Sequence, residues 1–391
     1  MGSKSAVDRR MTSRRGSEGR CLVRTTVHKP ISSFPDETCT DGASTGSQPT
    51  AVDLFAGAGG ATQGLIEAGF DVIGAVEFDA AAAQSYRLNH ECTRLWERDI
   101  QRVSAAEVKR ELGLKTGELT LLKACPPCQG FSSLAEGRIQ GDDPRNDLVN
   151  HTVRFVRALR PRAVLVENVP GLGRDRRSGE LLTALIRMGY NAKAYHVNAV
   201  EFGVPQRRKR LIILALRGTR TPLPESLVLT DPATPVTVRE AFRQLEAEVA
   251  ADDPLSVHRI LPEKVLTRVQ AIPVGGNRRD LPEYLQLDCH KRLDKEKKSG
   301  ASGSYGRLHW DQPAPTMTTR CTTPACGPFL HPEEHRPITL REAAAIQTFP
   351  PDYKFAGTRG AVERQIGNAV PVRMAAKIAR ALLDLLGGPA K

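Results

Sequence analysis

From residue 51 onward, short apolar runs alternate with stretches of helical spacing, and this rhythm restricts the fold more than any other property of the chain. AVDLFAG at 51–57, DVIGAVEFD at 71–79, LTLLKA at 119–124, AVLVENV at 163–169 and RLIILAL at 210–216 read as strands. GGATQGLIEAG at 59–69 and LVNHTVRFVRALR at 148–160 place apolar residues at helical intervals between them. Strands that are apolar almost throughout need cover on both faces. A strand–helix–strand order gives that cover to a parallel sheet, so the expected class is α/β.

Residues 1–50 are rich in Ser, Thr, Arg and Gly without sustained periodicity, and read as a disordered leader. Residues 51–217 carry the strand series. After Leu216 the rhythm loosens: 218–335 holds many prolines, scattered charges and a basic cluster from His290-Lys291-Arg292 to Lys297-Lys298, as expected of a smaller, irregular domain. Helical texture returns at 340–349 and 372–387 within the last segment, 336–391. The 56 Lys and Arg against 44 Asp and Glu leave a formal charge of +12, which favours a polyanionic partner, nucleic acid ahead of a membrane surface. Eight cysteines in 391 residues are too sparse for a disulfide scaffold. No secretory pattern and no run of about 18 apolar residues is visible, so a reducing cytoplasm is the expected compartment.

Pro126-Pro127-Cys128-Gln129-Gly130-Phe131-Ser132 follows an apolar strand and presents one thiol from a proline-stiffened loop. Such a cysteine is a candidate nucleophile, whereas a lone cysteine is more often buried and inert. Cys125 and Cys128 also form a C-x-x-C pair, but nothing else in the chain suits a small redox domain. His331-Pro-Glu-Glu-His335 matches a zinc pattern formally. Pro332 and Pro337 leave little room for the helix that pattern needs, and no metal is expected.

At the first strand, Phe55-Ala-Gly57-Ala-Gly59-Gly60 makes a glycine turn into a helix, with Thr62 where a dinucleotide fingerprint needs glycine. The turn suits a ligand without a pyrophosphate, such as S-adenosylmethionine. Glu77 ends the second strand, where a carboxylate meets ribose hydroxyls; Phe78 could lie on an adenine, and Asp99 could accept from its amino group. Glu167-Asn168-Val169 closes an apolar strand, so burial of Glu167 is expected. Gln206-Arg207-Arg208-Lys209-Arg210 runs straight into a buried strand, which sets guanidinium groups at the rim of the sheet. Gly367-Asn368-Ala-Val-Pro371 precedes the last helix, and an Asn there reads as a cap.

FAGAGG, PPCQGFS, ENV, QRRKR and GNAVP, in this order and with a long variable region before the last, closely resemble the bacterial DNA (cytosine-5)-methyltransferases over about residues 51–387. The resemblance implies a Rossmann-like, S-adenosylmethionine-dependent catalytic domain, with 218–335 as the target-recognition region and 336–391 folding back to complete the catalytic domain. It implies that Phe55, Gly57, Gly59, Gly60, Glu77, Phe78, Asp99, Ile100, Pro126 and Asn368 contact S-adenosylmethionine. Cys128, Glu167, Arg208 and Arg210 would surround the target cytosine, with Asn168 positioning Glu167 or the loop. Gln129, Ser132, Gln206 and Thr316 would contact the substrate, and Thr316-Met317 resembles a pair that faces DNA in the family. One departure is Cys125, where the family usually has glycine. The implied reaction is methylation at C5 of a flipped-out cytosine in double-stranded DNA, through a Cys128–C6 adduct; an RNA-directed relative is the alternative. A monomer is expected, paired in function, though not physically, with a cognate restriction endonuclease.

Overall fold

The computed structural model describes residues 48–127, 148–218, 222–227, 235–250, 252–295 and 303–387. Residues 1–47 of the expected leader, the candidates Cys128, Gln129 and Ser132, and Lys297 and Lys298 lie outside them.

The chain runs β1 (Thr50–Leu54), α1 (Gly60–Glu67), β2 (Asp71–Glu77), α2 (Ala80–Asn89), β3 (Arg94–Glu97), α3 (Ala105–Glu111), β4 (Leu121–Ala124), α4 (Val149–Leu159), β5 (Ala163–Asn168), α5 (Arg176–Arg187), β6 (Tyr190–Asn198) and β7 (Lys209–Arg217). These strands form one seven-stranded sheet in the order β3-β2-β1-β4-β5-β7-β6. Alternate residues of each central strand feed opposite cores. Val52, Leu54, Leu122, Val164 and Val166 meet α3, α4 and α5 on one face. Ala51, Leu121, Ala163 and Leu165 meet α1 and residues 199–204 on the other. Cover on both faces is why these strands read as unbroken apolar runs.

The all-parallel expectation needs one correction, because β7 runs antiparallel to both β5 and β6. Ten residues, 199–208, join β6 to β7 through a short 3-10 turn, too few for a crossover helix, so the chain reverses. The reversal sets the start of β7 at the sheet edge where β5 ends, with Glu167 opposite Ile212 and Asn168 opposite Leu211.

The second half contains α6 (Val238–Glu248), α7 (Glu263–Ala271), α8 (Asp288–Lys295), α9 (Leu340–Ile346), α10 (Arg359–Asn368) and α11 (Val372–Gly387). A small core of Val269, Ile272, Leu281, Tyr305 and Leu330 gathers α7 and the loops around it. A larger one joins Val238, Phe242, Leu308, Met317 and Phe329 to Leu340, Ala343, Tyr353 and Ile366, so packing continues across residue 335. The described residues all fall within one compact unit. Among the described residues no helix is long and apolar enough to cross a membrane.

The last helix belongs with the first. Met374, Ala375, Ile378, Ala379 and Leu382 of α11 share a core with Ala61 and Leu65 of α1. Gly64 permits the approach, since a Cβ there falls 2.5 Å from the Val372 carbonyl oxygen and 2.7 Å from Ala375 Cβ.

Candidate active site

Strands β1, β2, β4 and β5 all end on one edge of the sheet, and successive connections diverge between β1 and β4. In open α/β sheets that divergence opens a crevice at the carboxyl ends of the strands. The candidate residues fall into two groups along it.

The first group surrounds the turn after β1. Phe55, Gly57 and Gly59 all have left-handed backbone, with φ of 60°, 60° and 95°. A Phe there costs energy that its surroundings must offset. The turn is tied down by Gly59 N–H donating to Ala56 O at 3.1 Å and Ala56 N–H to Val76 O at 3.0 Å. Glu77 accepts from the amides of Gly57 (2.8 Å), Phe78 (2.9 Å) and Asp79 (2.8 Å). Burial raises its pKa above the ordinary value, against the pull of those amides. Three of the roughly four acceptor directions of the carboxylate are used, which leaves one for a hydroxyl. Beside it Phe78 stands 69% exposed, a free aromatic face. The space in front of Gly57 is open, and α1 begins at Gly60 with no side chain capping its first amides. Asp99 is exposed and caps the 3-10 turn 100–102 through Gln101 N–H at 2.8 Å, while Ile100 is buried. A carboxylate, an exposed ring and uncapped amides in one crevice fit a ligand with a ribose, a purine and a carboxylate end, the makeup of S-adenosylmethionine.

The second group closes β5 and opens β7. Glu167 and Arg210 are both 9% exposed and form an ion pair at 2.7 Å. Asn168 reaches across to the loop after β4, donating to the Pro126 carbonyl at 2.9 Å, while its own oxygen accepts from Val169 N–H at 2.8 Å. Of the two roles open to Asn168 at the sequence level, the observed contact is with the loop base. Cys125 sits at that base, and burial holds its thiol above the ordinary range, so it stays protonated. Behind it Lys123 pairs with Asp53 at 2.8 Å, with both side chains almost wholly buried and side by side in register on β4 and β1.

The remaining candidates are placed differently. Arg208 is 3% exposed and donates to Met317 O at 3.0 Å and Gly367 O at 3.1 Å. Burial, then the neighbouring Arg210 cation, works against its charge, and those carbonyls answer it. Gln206 is fully buried, donating to Gln347 Oε1 at 2.8 Å and accepting from Met317 N–H at 2.9 Å. It joins segments and does not line the crevice. Thr316 is exposed but donates to Arg207 O at 2.7 Å, while Met317, expected beside it on a DNA-facing surface, is 1% exposed in the shared core. Asn368 is exposed at the end of α10 and does not cap α11. His331 spends Nδ1 accepting from the amides of Glu333 (3.3 Å) and Glu334 (3.0 Å), and Arg307 holds His335, so the H-x-x-E-H stretch is a braced turn. Among the described residues no three metal-ligating side chains cluster. Arg154 carries no motif that marks it, yet its guanidinium on α4 donates to the carbonyls of Ile100 and Val103 and fixes the turn behind Asp99.

Residues 50–384 match the model of the family described as C-5 cytosine-specific DNA methylase. The chain is 34% identical over 350 residues to the Type II methylase M.HgiDII of Herpetosiphon aurantiacus, covering 86% of this chain and 96% of that protein. It is 35% identical over 358 residues to the Type II methyltransferase M.PspPI of a Psychrobacter strain, covering 87% and 80%. Among solved structures, a DNA modification methyltransferase described as putative, encoded within a prophage in E. coli, superposes with a TM-score of 0.63 at 25% identity, covering 86% of this chain and 99% of that one. The S. pombe Dnmt2 methyltransferase shares the fold with a TM-score of 0.62 at 18% identity, covering 87% and 100%.

Proposed function

Because the chain belongs to the C-5 cytosine-specific DNA methylases and is a DNA (cytosine-5)-methyltransferase, we propose that Cys128, Glu167 and Arg210 carry its chemistry on a flipped-out cytosine, with S-adenosylmethionine held by the turn after β1. The observation that supports this most is the meeting of the Glu167–Arg210 pair with the Asn168–Pro126 hydrogen bond, two residues before Cys128.

Cytosine C5 is too weak a nucleophile to be alkylated unaided. The Cys128 thiolate adds to C6, and the displaced ring electrons are received at N3 and O2. Glu167 meets N3 through a shared proton and Arg210 meets O2, so both stabilise the charge that develops as the C–S bond forms. C5 then behaves as an enamine carbon. The sulfonium donor supplies an electrophilic methyl group to it. A base removes the C5 proton, the C6–S bond breaks, and the thiolate leaves with the ring restored. Asn168 keeps the loop base in place throughout. Arg208 serves from behind, through Met317 and Gly367. None of this is reachable inside a stacked duplex, so the base is extruded at a cost of a few kcal/mol, which contacts from the 218–335 region offset. The matched family and the bacterial relatives favour DNA over RNA as substrate. The Type II names of those relatives suit work alongside a restriction endonuclease, and a monomer is proposed with it.

The test is a duplex with 5-fluorocytosine at the target. Fluorine cannot leave as a cation, so the enzyme is expected to remain covalently joined to the DNA through denaturing electrophoresis, permanently only with S-adenosylmethionine present. Cys128→Ser is expected to abolish the adduct and Cys125→Ala to retain it. The opposite pattern would overturn the assignment.

A further inference from the structure

We propose that His90 and Tyr353 are positioning residues for the cofactor turn, bracing Ala58 and Gly59 from behind so that the strained backbone presents its amides to the methyl donor. The proposal rests on the reading that this turn binds S-adenosylmethionine.

The turn concentrates three left-handed residues, Phe55, Gly57 and Gly59, within five positions. Such backbone persists only where its surroundings over-determine it. Glu77 and Val76 hold the outer side, through Gly57 N–H and Ala56 N–H. On the inner side, the Tyr353 hydroxyl donates to Ala58 O at 2.5 Å. Since that hydroxyl spends its proton on the carbonyl, its 3.0 Å contact with His90 Nε2 is one in which the imidazole N–H donates. His90 is therefore the Nε2–H tautomer, and its Nδ1 is a buried acceptor with no partner. The imidazole is also in hydrogen-bond contact with the Gly59 backbone, so His90 touches the turn directly as well as through Tyr353.

The pair also shapes the turn sterically. A Cβ on Gly59 would fall 2.5 Å from His90 Nε2 and 2.7 Å from Tyr353 Oη, so the two rings occupy the volume directly behind that glycine. His90 comes from the end of α2 and Tyr353 from the loop after α9, 263 residues later. They are 5% and 3% exposed, and Tyr353 packs on Phe349 with ring centroids 4.7 Å apart. Both side chains are buried where Phe78 is exposed. They act through the position of the 58–59 backbone.

The test is equilibrium binding of S-adenosylmethionine and S-adenosylhomocysteine by titration calorimetry, with steady-state methylation alongside. Tyr353→Phe, which removes one oxygen and keeps the ring, is expected to weaken both ligands about ten-fold and to raise KM for the donor by the same factor. Turnover at saturating donor should fall much less. His90→Ala should weaken binding comparably, and His90→Gln, whose amide N–H can donate from a similar place, should restore most of it. Glu77→Ala is the control for the underlying reading. If the wild type and Glu77→Ala bind the ligands alike, the cofactor reading fails and this proposal with it. If Glu77→Ala loses binding while Tyr353→Phe and His90→Ala bind as the wild type does, the positioning role alone is refuted, even where their melting temperatures fall.

Discussion

His90 makes the stability of this protein depend on pH in a window that can be worked out beforehand. Burial holds its imidazole down to about 4, against an ordinary 6.5. The unfolded chain therefore binds more protons than the folded one between those values, and stability rises with pH across that interval. The contribution is complete above 6.5 and is lost as pH falls toward 4. Taking the two protonation equilibria together, the folded state loses about 2 kcal/mol between pH 8 and pH 5 from this one side chain. His90→Gln keeps a donor toward Tyr353 and removes the titration. Urea unfolding of both proteins without cofactor, at pH 8, 6.5 and 5, gives the needed difference. Burial also lowers His151 and His331, but both titrate in either protein and cancel. The stability of the wild type relative to the variant should drop by about 2 kcal/mol from pH 8 to pH 5. A difference that does not change over this range would refute the reasoning, because it would mean that His90 is free to protonate inside the fold.

Three other outcomes follow from packing and charge. Lys123→Met strands the Asp53 carboxylate in the interior and should cost about 3–5 kcal/mol in denaturant unfolding, while Asp53→Leu added to it should recover most of the loss. Gly64→Ala gains about 1 kcal/mol of helix propensity but drives a methyl group into the Val372 carbonyl and Ala375, so thermal unfolding should shift downward; Gly179→Ala in α5, with open space around it, should shift upward. Exchanging 218–335 for the same region of a relative should change which cytosine is methylated, read by sequencing the methylated DNA. An active chimera that keeps the original target would exclude that region as the reader.

The sheet and the glycine turn after β1 were legible because their residues are constrained locally. A turn leading from strand to helix calls for glycine, and a strand buried on both faces calls for unbroken apolar runs, as at Val52–Leu54 and Val164–Val166. β6 escaped notice because it is an edge strand, where Asn191, Lys193 and His196 interrupt the apolar pattern. The direction of β7 was hidden for another reason: strand periodicity is the same read either way. The entry of residues 206–210 into a buried strand was legible, but the burial of Gln206 and Arg208 was not, because it depends on the distant carbonyls and amides of Met317, Gln347 and Gly367. The brace of His90 on Tyr353 joins residues 263 apart, a separation at which side-chain spacing carries no signal.

The docking of α11 on α1 has a consequence for how the protein is made. Helix α1 emerges from the ribosome early, yet Ala61 and Leu65 have their partners in Met374, Ala375 and Ile378. Roughly 310 residues separate the two, so at about 5–20 residues per second the first strand–helix unit waits on the order of 15–60 s with an apolar face uncovered. During that time the turn after β1 lacks Tyr353 as well, whose hydroxyl holds Ala58 from 295 residues away. Nascent chains that stop short of α11 leave this apolar face uncovered. Closure of this fold, and with it a complete surface for DNA, waits for α11.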